Sequence, residues 1–124
     1  MDLNHFHLQV KDMQKTKSFY ESYFEFKEIF SNDNRVYLLN RKGFTLGLDK
    51  TERPDPLPAW FHFGFGVDSE IELRSLFQRM GVNGAAMQGG LNVADDPMNF
   101  YCEDPDGKTI EVYFKAGSEG SSGP

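Results

Sequence analysis

Between His5 and Val10 apolar and polar side chains alternate: Phe6, Leu8 and Val10 fall on one side, His5, His7 and Gln9 on the other. This is the period of a strand that buries one face. Thr16, Phe19, Tyr20 and Tyr23 follow at the i, i+3, i+4, i+7 spacing of one helix face. The pattern then returns 57 residues later, with His62-Phe63-Gly64-Phe65-Gly66-Val67 falling on residues 5–10 and His, Phe and Val identical. The same shift carries Leu73, Leu76, Phe77 and Met80 onto the first helix stripe. The chain therefore reads as an internal duplication.

Each copy continues in the same way. Asp12 is placed to cap the first helix, and Ser69-Glu70-Ile71-Glu72 has capping-box spacing for the second, which is expected to stop at Gly81. A hairpin follows in each: residues 35–40 and 44–49 around Arg41-Lys42-Gly43, then residues 99–103 and 109–114 around Asp104-Pro105-Asp106-Gly107. Proline followed by aspartate and glycine is strong turn chemistry, because Pro fixes φ and Gly accepts a positive one. Shorter strands are expected at 27–30 and 85–88, which makes βαβββ twice. Three of the six prolines, Pro54, Pro56 and Pro58, lie in residues 51–58 and predict an extended linker. The expected organisation is one domain over residues 1–115, with a first module at about 3–50, the linker at 51–58 and a second module at about 59–115. A flexible Gly/Ser-rich tail is expected over 116–124.

With 124 residues, 39% hydrophobic and 15% aromatic, the chain is long and apolar enough for a core. A formal charge of −6 without a basic cluster argues against nucleic acid and anionic membranes as partners. The absence of a long apolar run or a secretory pattern points to the cytoplasm, and the single cysteine, Cys102, fits a reducing compartment. Cys102 lies in an alternating strand and reads as a small buried hydrophobe.

The candidate chemistry lies on the sheet faces turned away from the apolar side chains. His5 and His7 share that face of the first strand, His62 that of the fifth, and Glu111 and Tyr113 that of the last. A single strand histidine is usually hydrogen-bonded or solvated. Two at repeat-equivalent positions, His5 and His62, together with a carboxylate, suit a divalent transition metal with open positions for water or substrate.

The residues 4–12 leading to Ser18-Phe19-Tyr20, then Phe61-His62-Phe63, then Asp104-Pro105-Asp106-Gly107-Lys108-Thr109-Ile110-Glu111, resemble the vicinal oxygen chelate superfamily. It includes glyoxalases, bleomycin resistance proteins, fosfomycin resistance enzymes and extradiol dioxygenases. The resemblance covers Leu3 to about Phe114. It implies an α+β fold of two tandem βαβββ modules forming a curved mixed sheet around a cavity with helices on the outside, usually in a homodimer. It also implies His5, His62 and Glu111 as metal ligands. The position of a fourth ligand found in many members falls on Gly47, which has no side chain, and Asp49 lies about 7 Å further along the strand. A three-ligand set is similar to that of the extradiol dioxygenases, which use Fe2+, and of the fosfomycin enzymes, which use Mn2+; Ni2+ or Zn2+ would accompany glyoxalase-like chemistry. Residues 88–98 lack the basic and serine-bearing phosphonate pattern, and Asp95 and Asp96 would repel a phosphonate, although Tyr101 matches a substrate-contacting tyrosine.

These expectations describe a metal-dependent dioxygenase or glyoxalase-like lyase, isomerase or transferase acting on a small-molecule substrate through adjacent oxygens. His7 is the candidate acid or base, with Tyr101 and Tyr113 as hydrogen-bonding groups. The alternative from another class is a metal-free bleomycin-type protein that sequesters a cationic ligand, with which the acidic charge is compatible.

Overall fold

The computed structural model describes residues 1–116, and the tail expected at 116–124 lies, from residue 117 on, outside the described residues. The chain divides into two compact units, the first ending at Leu57 and the second beginning at Pro58.

In the first unit β1 (His5–Val10), α1 (Met13–Phe24), β2 (Lys27–Ser31), β3 (Arg35–Leu39) and β4 (Thr45–Lys50) follow the expected βαβββ order. The sheet order is β1-β4-β3-β2, with β1 and β4 parallel and the other pairs antiparallel. The parallel pair exists because α1 carries the chain away from β1 and hairpins return it, so the last strand lies beside the first. Alternation holds: Leu8 and Val10 of β1, Val36 and Leu38 of β3, and Leu46 and Leu48 of β4 are buried. They form the core with Tyr20, Phe24 and Phe26. Asp12 caps α1 as expected, its side chain accepting from Lys15 N. The buried helix face is Thr16, Tyr20 and Phe24, whereas Phe19 and Tyr23 lie at its half-buried margin and stack edge-on at 5.3 Å.

The second unit repeats the plan with β5 (Phe63–Gly66), α2 (Glu70–Val82), β6 (Met87–Asn92), β7 (Met98–Glu103) and β8 (Thr109–Phe114), in the order β5-β8-β7-β6. Leu73, Leu76 and Met80 of α2 are buried, as are Phe100, Cys102, Ile110, Val112 and Phe114. Several strand ends shift by one residue from expectation, and three differences in this unit have a local cause or bear on the site. Helix α2 runs past Gly81 to Val82 because the chain reverses at Gly84, the glycine with positive φ (+79°), where Ala85 N–H donates to Met80 O. The sixth strand lies at Met87–Asn92 rather than 85–88, since the reversal occupies the residues before it. His62 immediately precedes β5 instead of lying within it.

The two long hairpins share a turn device. Asn40 Oδ1 accepts from the N–H groups of Lys42 and Phe44, and Asp104 Oδ1 accepts from those of Asp106 and Lys108. Both turns close with a backbone pair (Asn40 N–H to Phe44 O, Asp104 N–H to Lys108 O) and carry a positive-φ glycine, Gly43 or Gly107. The offset between the copies is thus 57 residues at the first strands (5 to 62) and 64 at these turns (43 to 107). These turns set the register of β4 and β8.

Candidate functional site

Strand register relates the chemistry of the two units. In the first, His7 of β1 lies beside Gly47 of β4; in the second, Gly64 of β5 lies beside Glu111 of β8. With the two offsets, His7 corresponds to Gly64 and Gly47 to Glu111. Each pair therefore carries one side chain and one glycine, on opposite strands. The steric reason is visible in the first unit, where a Cβ built on Gly47 would lie 2.6 Å from His7 Nδ1; one on Gly64 would meet the backbone of β8, 3.3 Å from Glu111 O, rather than the Glu111 carboxylate. In the first unit the imidazole of His7 takes the room that a side chain at position 47 would need.

His5, His7, Tyr37, Thr45 and Gly47 line a cavity of about 380 Å³ on the sheet face of the first unit opposite its core. His5 Nδ1 is 2.9 Å from Asn4 Oδ1, and His7 Nδ1 is 2.9 Å from Asp49 Oδ2. Asp49 Oδ1 also accepts from Arg35 Nε at 2.5 Å. Burial alone would raise the Asp49 carboxyl, but hydrogen bonds and charge from Arg35 and His7 outweigh it and hold the group below its ordinary value. Asp49 is therefore a carboxylate at neutral pH and acts only as an acceptor. The Tyr37 ring meets His7 edge-on at 5.5 Å, and the Arg35 guanidinium lies over Tyr37 at 6.0 Å.

The second unit brings together three of the expected site residues, His62, Tyr101 and Glu111. His62 Nε2 lies 3.5 Å from Glu111 Oε1, and the His62 and Tyr101 rings meet at 5.7 Å. Tyr101 is the register partner of Glu111, so the antiparallel pair places both on one face. Asn99 Nδ2 donates to Glu111 Oε2 at 2.9 Å, and His62 Nδ1 is 3.4 Å from Trp60 O.

The donor set fits a divalent metal in one specific respect. His5 Nδ1 and His62 Nδ1 each face an oxygen acceptor, which would leave Nε2 of each ring to a metal, and Glu111 has one oxygen tied back while the other faces His62. This is the arrangement in which outer partners orient metal ligands. The 3.5 Å between His62 Nε2 and Glu111 Oε1 is the distance of an ion pair and would also suit two ligands of one divalent ion. His5 belongs to the first unit, and His62 and Glu111 belong to the second. Among the described residues no group of three or more His, Cys, Asp or Glu side chains is gathered in a metal-binding cluster. Cys102 takes no part: it is fully buried, and burial and the nearby Asp104 and Glu103 charges push its thiol up to about 12.

Sequence reasoning missed Asn99, and it treated Asp49 only as a poor replacement ligand when it is the partner of His7. Asn99 carried a signal, since it lies two residues from Tyr101 on the same strand face. Arg35 carried none, because its partner is set by the β3–β4 register.

Residues 2–112 match the family model described as Glyoxalase/Bleomycin resistance protein/Dioxygenase superfamily. Among solved structures, a possible glyoxalase from Bacillus cereus is 30% identical, with 91% of this chain and 98% of that one covered and a TM-score of 0.81. The genomically encoded fosfomycin resistance protein FosX from Listeria monocytogenes is 24% identical, with 95% and 96% covered and a TM-score of 0.80. Lactoylglutathione lyase from Agrobacterium tumefaciens is 18% identical, with 91% and 92% covered and a TM-score of 0.72. The last two establish likeness of fold.

Proposed function

Because the chain belongs to the Glyoxalase/Bleomycin resistance protein/Dioxygenase superfamily, we propose that it is a metal-dependent enzyme that binds a small-molecule substrate through adjacent oxygens, with His5, His62 and Glu111 holding the ion. The observation that carries the reading is the oriented donor set: His62 Nε2 and Glu111 Oε1 lie 3.5 Å apart, with Asn99 tying back the second carboxylate oxygen. Three protein ligands favour Fe2+ and extradiol-dioxygenase-like chemistry over the glyoxalase-like reactions associated with Ni2+ or Zn2+, and the absence of a phosphonate pattern in residues 88–98 weighs against the Mn2+ transferase reaction. Bound there, the ion supplies Lewis acidity toward a pair of substrate oxygens.

The chain's own residues supply the rest. His7 moves a proton: Asp49 takes up its Nδ1, so Nε2 is the nitrogen available to accept. Tyr101 hydrogen-bonds the substrate from beside His62, on the sheet face it shares with Glu111. Tyr37 and Thr45 line the wall next to His5 and His7.

The test is metal content. Full-length protein expressed without added metal carries about one divalent ion per chain, and His5→Ala and Glu111→Gln each lose it, read by elemental analysis and by competition with a chelator. A wild-type chain that binds none, or variants that keep the ion, would refute the assignment and favour a metal-free ligand-binding protein. Iron in the wild type, with oxygen consumption on a catechol panel, supports the dioxygenase branch. Iron-loaded protein that leaves the whole panel untouched removes that branch.

A further inference from the structure

The proton-transfer role of His7 needs more than a histidine in a cavity, because a neutral imidazole has two tautomers and the side chain of a free histidine prefers the one with its proton on Nε2. That tautomer would present a donor to the substrate. A base requires the opposite one.

The first unit contains the means to choose. Four side chains form a closed circuit over three adjacent strands: Arg35 Nε donates to Asp49, Asp49 faces His7 Nδ1, the His7 ring meets Tyr37 edge-on, and Arg35 lies over Tyr37. Each of the two carboxylate oxygens has its own partner, Oδ1 with Arg35 and Oδ2 with His7, so the carboxylate is not free to turn away. A carboxylate cannot donate, so the proton in the 2.9 Å contact belongs to Nδ1. Gly47 is a further requirement. Its missing side chain leaves the space in which the ring lies: a Cβ there would be 2.6 Å from Nδ1, 2.7 Å from Cε1 and 3.0 Å from Cγ, and no rotation of the ring in place relieves all three.

We propose that Asp49 and Arg35 are positioning residues, and Gly47 the enabling gap, that fix His7 in the Nδ1–H tautomer so that its Nε2 serves as the proton acceptor of the cavity. This rests on the reading of His7 as the group that moves the proton. In the step itself, a substrate O–H or C–H bond breaks, its proton forms a bond with the Nε2 lone pair, and the electron pair stays on the substrate. Asp49 keeps its own charge throughout and stabilises the ring that has accepted the proton, while Arg35 keeps Asp49 in place.

The measurement is the long-range proton–nitrogen NMR spectrum of the histidine side chains in uniformly labelled, full-length, metal-free protein at pH 8. Only three histidines contribute, and His7→Gln assigns the His7 signals by their loss. The expected wild-type pattern for His7 is a proton-bearing Nδ1 and a bare Nε2. Asp49→Leu removes the acceptor and inverts the ratio toward the Nε2–H form. Gly47→Ala produces the same inversion with Asp49 still present, because the ring must leave its place. Arg35→Gln shifts the ratio in the same direction by a smaller amount. An unchanged far-UV circular dichroism spectrum in each of the three variants reports that the fold is intact.

A wild-type His7 that carries its proton on Nε2 overturns the proposal without any variant. An Asp49→Leu or Gly47→Ala protein that keeps the wild-type pattern overturns the corresponding part of it. Should Asp49→Leu fail to fold, Asp49→Asn, which retains an oxygen acceptor, gives a weakened but detectable shift; a spectrum identical to wild type counts against the proposal. The protein is free of metal in these spectra, so a failure of the metal assignment leaves this outcome untouched, and the two can be told apart.

Discussion

Replacing Asp104 by alanine tests whether the hairpin that delivers Glu111 depends on one side-chain oxygen. Asp104 is 4% exposed, and its Oδ1 accepts from Asp106 N at 2.9 Å and from Lys108 N at 3.0 Å. In alanine both donors lose their acceptor. Lys108 is buried, so its N–H is left unsatisfied, whereas Asp106 is half-buried and water can replace part of its bond. An unsatisfied buried donor costs about 1–3 kcal/mol and a solvent-replaceable bond about 0.5–1 kcal/mol, for a total of roughly 1.5–4 kcal/mol. Asparagine supplies an oxygen at the same place, and Asn40 makes the same two bonds in the equivalent turn of the first unit. Asp104→Asn should therefore cost no more than about 1 kcal/mol, the difference being the loss of charge assistance. Urea unfolding followed by far-UV circular dichroism reads the result, since Trp60 is 77% exposed and its fluorescence is a poor reporter of burial. At about 1–3 kcal/mol per molar, the alanine variant loses on the order of 1–2 M in midpoint at unchanged slope. An alanine variant within about 0.5 kcal/mol of wild type, or an asparagine variant as damaged as the alanine one, would refute the reasoning, because single uninvolved substitutions fall in that range.

Two further predictions follow from buried or second-rank groups. Asn99→Leu frees Glu111 Oε2 from its 2.9 Å hydrogen bond and should weaken metal binding by about 10–100-fold in a chelator competition, and equal affinity would remove Asn99 from the site. The Cys102 thiol keeps its proton to about 12 in the folded chain against an ordinary 9.0, so the stability it contributes is whole below pH 9 and is lost as pH rises toward 12. The urea midpoint should accordingly fall between pH 8 and pH 10 more in wild type than in Cys102→Ala, and native protein should leave Ellman's reagent unreacted at pH 8; equal pH dependence of the two chains would contradict it.

The duplication, the βαβββ order and the buried faces were legible in the sequence because they rest on local periodicity. Alternation at residues 5–10 and the return of His-Phe and Val 57 residues later identify equivalent strands without any knowledge of contacts. Helix and strand ends were less legible where the decisive residue was not the first plausible one. Gly81 looked like the stop of α2, but Gly84 adopts the positive φ. That choice depends on which glycine lets Ala85 reach the Met80 carbonyl.

By itself the sequence determined that His5, His62 and Glu111 share a kind of face, and which family's pattern they follow. Tertiary structure decided what each of them, and His7, is bonded to. Pairing across strands brings Asp49 to His7, Arg35 to Asp49 and Asn99 to Glu111, partners separated by 42, 14 and 12 positions. The spacing of such partners obeys no helix or strand period, because register fixes it and register is set by turns such as those of Asn40 and Asp104. The same is true of Gly47. In the sequence it is a missing ligand, and in the folded unit it is the space that the His7 ring fills.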